Sequence, residues 1–373
     1  MTLAAWVHNI DPFLVRFTDT FGLRWYGMSY LAGFALGYVL LRWMAKRGSA
    51  RIPVHRVADS IFIIALGVIV GGRLGYAVFY RPDLFWSFSR SLPWWDLLDL
   101  SEGGMASHGG MIGIGIAAWL VSRGFKDDTG VRRGRTPVLH VLDLLCLLGP
   151  IGLFFGRIAN FINGELLGRI VAGPGESGPW WAVRFPQEIV AAPDGRLSTD
   201  HLTPELRSRL VQDIQPLMLP GDTLARGYAR MVEAVQAGSA EKAEQLSRYL
   251  TARHPSQLYQ ALAEGIVVGL VVWWVGRRPR RPGVVGGWFL ISYGLLRILT
   301  EIWRLPDAHF DIGRPGGLSR GQWLSALMVL AGLALLAIVQ RRVSPKLGGW
   351  LVRSPAQPGD EQRDQEPAAH EPQ

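Results

Sequence analysis

Val138-Leu139-His140-Val141-Leu142-Asp143-Leu144-Leu145-Cys146-Leu147-Leu148-Gly149-Pro150-Ile151-Gly152-Leu153-Phe154-Phe155-Gly156-Arg157 is the stretch that decides the fold. About 20 mostly apolar residues in a helix cross the hydrocarbon core of a bilayer. Six further stretches read the same way, at approximately 22–43, 59–79, 105–122, 258–275, 284–302 and 322–339. Seven such runs in one chain are hard to enclose in a water-soluble core. The expected fold is therefore an all-α polytopic membrane protein with seven transmembrane helices.

Composition agrees. Of the 373 residues 49% are hydrophobic and only 18% charged, against roughly 25% charged in an ordinary soluble chain. Mean hydropathy is +0.17. The formal charge of +9 would suit a nucleic-acid binder, but its distribution does not. Four segments at helix ends carry 18 basic residues against two acidic ones, Asp127 and Asp128. They follow the first, third, fifth and seventh runs. The opposite loop, 81–104, has two basic and four acidic residues. By the positive-inside rule the four basic segments are cytoplasmic. The N-terminus is then periplasmic, the C-terminus cytoplasmic, and no nucleic-acid partner is expected. No Lys or Arg precedes Arg16, so a cleaved signal peptide with its basic start is not expected. Tryptophans near the run ends fit interfacial belts, Trp43, Trp273 and Trp274 inside and Trp86, Trp94, Trp95, Trp303 and Trp323 outside, with lipid or core packing an equal reading for any one of them.

One connection is too long to be a loop. About 90 residues separate Glu165 from His254 without a membrane-length apolar run. Gly and Pro fill their first half, and amphipathic helical patterns occupy 204–214, 223–236 and 240–251. The expected organisation is four transmembrane helices in 1–164, a periplasmic cap in 165–254, three helices in 255–342 and a polar, disordered cytoplasmic tail in 343–373. The lone Cys146, set among leucines, excludes a disulfide framework and reads as a small core residue.

Ionisable groups at membrane depth are costly and mark function by default. His108, Arg157, Arg297 and Glu301 all fall toward the outer halves of their helices. Around His108 the sequence is glycine-rich (Gly103-Gly104-Met105-Ala106-Ser107-His108-Gly109-Gly110), which suits either close helix packing or approach of a lipid headgroup. Arg157, Asn160 and Asn163 recur every third residue and share one face of a continuing helix; the forked arginine donor suits phosphate. Tyr293, Arg297 and Glu301 make a second stripe at spacings of four. There Arg297 either pairs structurally with Glu301 or shares a phosphate with Arg157. In His254-Pro255-Ser256-Gln257-Leu258-Tyr259, Ser256 reads as a helix cap, and His254 as either a site residue or an interfacial polar group. Arg73 and Glu264 are expected to pair structurally, and Asp143 to satisfy a helix neighbour. Gly173–Gly178 is glycine-rich but follows no expected strand, which argues against a phosphate loop. A nucleophile elbow, a Walker loop and a His-Glu-x-x-His motif are all absent.

The run Gly156-Arg157-Ile158-Ala159-Asn160-Phe161-Ile162-Asn163-Gly164-Glu165-Leu166-Leu167-Gly168 resembles the signature of the prolipoprotein diacylglyceryl transferases. Further blocks agree in order: Leu23-Arg24-Trp25-Tyr26-Gly27, Gly71-Gly72-Arg73-Leu74-Gly75-Tyr76, Ser107-His108-Gly109-Gly110, His254 through Tyr259, and Tyr293 through Arg297 and Glu301 to Arg304-Leu305-Pro306-Asp307. The resemblance covers the whole membrane part, although the 165–254 cap and the loop after the third run are longer than the family pattern. It implies a multi-pass enzyme of the bacterial cell inner (cytoplasmic) membrane. Such an enzyme moves the diacylglyceryl group of phosphatidylglycerol to the lipobox cysteine of a prolipoprotein signal peptide, without metal or cofactor. It implies catalytic roles for His108, Arg157, Tyr293 and Arg297. It implies phosphatidylglycerol or substrate binding by Arg157, Tyr26, Asn160, Gly109, Gly110, Glu165, Gly168 and Glu301. Two other classes compete. A transporter would show internal repeats, and none is visible. An intramembrane protease needs paired aspartates or a serine nucleophile in the membrane, and neither arrangement is present.

Overall fold

In lipid a backbone has no water to bond, so long apolar runs close their hydrogen bonds internally as helices. The computed structural model describes residues 5–17, 22–90, 92–99, 103–127, 129–192, 194–305 and 318–351. Its helices are α1 (Trp25–Lys46), α2 (Val57–Phe79), α3 (Ser107–Ser122), α4 (Val138–Asn163), α5 (Pro204–Ile214), α6 (Leu224–Gln236), α7 (Ala240–Ser247), α8 (Ser256–Gly276), α9 (Val284–Thr300) and α10 (Arg320–Arg341). Among the described residues six helical segments, those of α1, α2, α4, α8, α9 and α10, are long and apolar enough to cross a membrane. The seventh expected span, α3, is apolar but has only 16 residues. Large side chains face outward: on α10, Leu324, Leu327, Leu330 and Leu333 are each more than half exposed. Water would not tolerate that much apolar surface; hydrocarbon would. The chain is a multi-pass membrane protein. The tail from 352 and residues 306–317, which include Pro306 and Asp307 of the sixth block, lie outside the described residues.

The chain divides into two compact units. One comprises 1–33, 150–268 and 292–329; the other 34–149, 269–291 and 330–373. In the second unit, α2 and α3 meet along a glycine seam. A Cβ on Gly113 would stand 1.9 Å from the Gly67 carbonyl oxygen, and one on Gly109 would stand 2.1 Å from that of Gly71. Small residues let helix backbones touch where lipid offers no hydrophobic drive to association. The Asp143 carboxylate accepts from the Gly283 and Gly286 amides at 2.7 Å each, satisfying orphan donors at the start of α9 as expected of a helix neighbour. Cys146 is half-buried rather than sealed in the core. Trp43 and Trp273 come together with Trp350, ring centroids 6.0–6.4 Å apart.

Arg73 is not paired with Glu264. It donates to the carbonyls of Leu97, Gly103, Gly104 and Asp96 at 2.7–3.1 Å, tying down the loop between α2 and α3. A guanidinium has five donors in a fork, and a loop of unpaired carbonyls satisfies them as well as one carboxylate.

In the first unit, α5, α6 and α7 follow the amphipathic patterns closely. Each starts on a side-chain cap, Thr203, Thr223 and Ser239, accepting from the amides of Leu206, Arg226 and Lys242. Leu210, Ile214, Met231, Val235, Leu246 and Leu250 make their common core. Eight short strands are described: β1 (Trp6–Val7), β2 (Phe13–Arg16), β3 (Gly22–Arg24), β4 (Phe125–Lys126), β5 (Arg132–Arg133), β6 (Ile170–Ala172), β7 (Val183–Arg184) and β8 (Ala252–Arg253). Four form one sheet in the order β1-β7-β8-β6, with β1 parallel to β7 and the other pairs antiparallel. Strand β6 precedes Gly173–Gly178, contrary to the sequence expectation; no helix follows directly, so the geometry of a phosphate loop is still missing.

Just after β1, His8 is 1% exposed, its ring 5.2–5.5 Å from those of Trp6, Phe161 and Phe185. Burial lowers its pKa to about 4. The unfolded chain protonates this ring near pH 6.5, whereas the folded chain resists until about pH 4. The contribution is therefore whole above pH 6.5 and is lost as pH falls toward 4, by at most about 3 kcal/mol. His8→Phe should flatten the fall in melting temperature between pH 7 and 4.5; an unchanged slope would show that His8 does not titrate on unfolding. Gly113→Ala should destabilise the protein by on the order of 1–3 kcal/mol, read as a lower melting temperature in detergent. Gly115→Ala, with nothing within 4 Å of its Cβ, should not.

Candidate active site

Helix α4 carries Arg157, Asn160 and Asn163 on one face to its last turn. It stops because Gly164 takes φ +67°, the left-handed conformation that glycine adopts without strain, with Leu166 following at +54°. The chain beyond is fastened on several sides. The Glu165 amide donates to the Asn160 carbonyl at 2.9 Å. Arg169 donates to the Trp303 carbonyl and Leu305 to that of Leu167, at 2.9 and 3.1 Å. The Arg169 carbonyl receives the His254 amide at 3.0 Å. Ser256 does not cap α8; its hydroxyl donates to the Leu166 carbonyl at 3.1 Å. Gln257 donates to the Glu165 carbonyl. Gly168 sits in the middle, where a Cβ would lie 2.1 Å from the His254 carbonyl oxygen.

Three helices then bring charge together. Glu264, fully buried on α8, accepts at Oε2 from Arg157 Nε and Nη2 at 3.1 and 3.0 Å, and at Oε1 from Arg297 Nη1 at 3.1 Å. Arg297 also reaches Glu301 at 3.1 Å, confirming that pair, and Arg304 stands 3.7 Å from the same Glu301 oxygen. Ser319 donates to the other Glu301 oxygen at 3.3 Å. Arg157 and Arg297 keep 17% and 12% of their side chains exposed. Three guanidiniums against two carboxylates leave one positive charge, half sunk in protein. That is a setting for a phosphate, with forked donors already oriented.

Tyr293 lies on the same stripe, hydrogen-bonded to Arg157 and near Glu264 and Arg297. Tyr26, on the first turn of α1, is hydrogen-bonded to Tyr30 and close to Glu165 and Arg157. Asn163 Nδ2 donates to Glu165 Oε1 at 3.3 Å. Thus Tyr26, Arg157, Asn160, Glu165, Gly168, Tyr293, Arg297 and Glu301 all belong to the first unit. His108, Gly109 and Gly110 belong to the second, at the start of α3. There His108 is exposed, while both glycines are buried. His254 is half of a ring pair with Trp181 at 4.8 Å, continued by Tyr259 and Trp303 at 5.9 Å each. Burial, and then Arg169, hold the His254 pKa below the usual histidine value, so the ring is neutral near pH 7.

The family model for prolipoprotein diacylglyceryl transferase matches residues 12–338. The chain belongs to that family. A phosphatidylglycerol–prolipoprotein diacylglyceryl transferase of Bdellovibrio bacteriovorus is 41% identical over 354 residues, covering 92% of this chain and 97% of the relative. Enzymes of the same name from Ralstonia pickettii and Chromobacterium violaceum are 35% and 36% identical, over 86% and 90% of this chain and 90% and 97% of theirs.

As a prolipoprotein diacylglyceryl transferase, the chain has its signature segment and its arginines in one unit. Sequence reasoning gave Glu264 the wrong partner, Arg73 in place of Arg157 and Arg297. Gly168→Ala should lower both melting temperature and transfer activity, because the His254 carbonyl that must give way is itself bonded into the site. Full activity at wild-type stability would mean the segment yields without consequence.

Proposed function

We propose that this chain transfers the diacylglyceryl group of phosphatidylglycerol to the lipobox cysteine thiol of prolipoproteins, the first step of bacterial lipoprotein maturation. Family membership supports the reaction class. The observation that carries the site is the convergence of Arg157 and Arg297 on Glu264 beside the signature segment.

The chemistry asks little beyond positioning and charge stabilisation. The cysteine sulfur attacks the glyceryl carbon; the carbon–sulfur bond forms as the carbon–oxygen bond to phosphate breaks. The electron pair stays on the phosphate oxygen, and the thiol proton passes to a base. Glycerol phosphate leaves with one more negative charge than the diester carried, and two arginines held close by stabilise that charge as it develops. Glu301 orients Arg297. Tyr26, Asn160, Glu165 and Gly168 form the wall that binds headgroup or peptide, and Tyr293 contributes its hydroxyl beside the arginines. His108 either deprotonates the thiol, whose pKa near 8.5 needs only modest help, or orients the headgroup with Gly109 and Gly110. No cofactor takes part.

The positive-inside pattern supports an inner-membrane enzyme with its N-terminus and the 165–254 cap in the periplasm and its C-terminus in the cytoplasm. In this reading α3, about 24 Å long at 1.5 Å per residue, is the seventh span, completed by flanking residues. The domain limits are 1–164, 165–254, 255–342 and 343–373.

Purified protein in phosphatidylglycerol vesicles should add the mass of diacylglycerol to a lipobox peptide at its cysteine. Peptide cleavage would instead favour a protease, and neither product a transporter. Arg157→Lys should lose about 100-fold in kcat/KM, because an ammonium cannot reproduce a forked grip; full transfer by that variant would refute forked phosphate recognition. Reporter fusions within 165–254 should report the periplasm, and a cytoplasmic result would overturn the orientation.

A further inference from the structure

Glu264 has an unusual backbone. The helix widens into a π-helix over Ala261–Val267, with Glu264 at its centre. Wide turns of this kind recur at functional sites, since they redirect a side chain at the expense of regular hydrogen bonding. The cause is local. Gly265 lies against α4, where a Cβ would stand 2.6 Å from the Phe154 Cβ and 2.9 Å from its Cα. Beside that close approach the preceding residue, Glu264, meets Arg157, three residues beyond Phe154. Both carboxylate oxygens are in use, one per arginine.

We propose that Glu264 is a positioning residue that sets the spacing of Arg157 and Arg297 and offsets one of their two charges, so that the pair holds a phosphate diester yet releases the phosphate monoester. This rests on the reading of the two arginines as the phosphate grip. The reaction raises the charge of the bound phosphate by one. A site carrying two uncompensated guanidiniums would favour that product and retain it. With Glu264 between them the local excess is one positive charge. The carboxylate also holds the guanidiniums, which repel each other, one on each of its two oxygens. Glu264 acts through the arginines and is assigned no direct contact with substrate.

The test separates charge from geometry. Glu264→Gln keeps the shape and removes the charge. Its kcat should fall on the order of 10–100-fold, the scale of a misplaced reacting group. Its KM for phosphatidylglycerol should stay level or fall, and glycerol phosphate should inhibit it about tenfold more tightly than the wild type. Glu264→Asp keeps the charge one methylene short. Its kcat should fall about tenfold, with glycerol phosphate inhibition close to wild type. A structural role alone would lower the yield of monodisperse protein without tightening product inhibition. Glu264→Gln with wild-type kcat, or with reduced kcat and unchanged glycerol phosphate inhibition, would overturn the proposal. If that variant does not fold, Glu264→Asp decides: wild-type kcat overturns the proposal, and the reduced kcat with wild-type inhibition upholds it. The underlying reading fails separately, if wild-type protein transfers nothing or if Arg157→Lys and Arg297→Lys both retain full activity.

Discussion

One buried carboxylate holds two guanidiniums where neither solvent nor lipid could. Removing either partner from such a cluster would strand a charge at a cost of several kcal/mol, so the three helices that carry Arg157, Glu264 and Arg297 are bound to one arrangement. The π-turn of α8, the abrupt end of α4 at Gly164 and the stripe on α9 each deliver one member of that cluster. Fixed polar groups of this kind are what the proposed phosphate grip needs.

The glycines of this chain serve two different ends. Along α2 and α3 they let two backbones touch, which apolar side chains in lipid cannot achieve by hydrophobic drive. At Gly168 a single glycine lets an irregular strand pass under the His254 carbonyl. Sequence alone reads both as small residues. Only the neighbours distinguish a packing seam from a crossing point.

Much was legible in advance. Apolar length located six long apolar helices, because lipid admits almost nothing but helix, while the seventh expected run is the 16-residue α3. The helices at 204–214, 224–236 and 240–247 appeared from amphipathic period alone; their caps at Thr203, Thr223 and Ser239 came only with the structure. The spacing of Arg157, Asn160 and Asn163 gave their common face, since α4 does continue to Asn163. What failed was partnership across the chain. Arg73 and Glu264 looked like a pair because each was a charge in want of an opposite, but local periodicity carries no information about which helices meet. Ser256 looked like a cap and instead ties the segment after α4. Strand β1 gave no signal at all: two residues are too short for any alternation to show.

That strand has a consequence for the order of assembly. Residues 6–7 pair in parallel with residues 183–184, which in turn pair with residues 252–253. The first-made strand thus waits for its neighbour through the synthesis of four helices, and the sheet closes only after the third of these strands is made. A chain with such distant contacts is slow to close its loops. Until then the edge of the first strand is unpaired, the kind of edge that another chain can join.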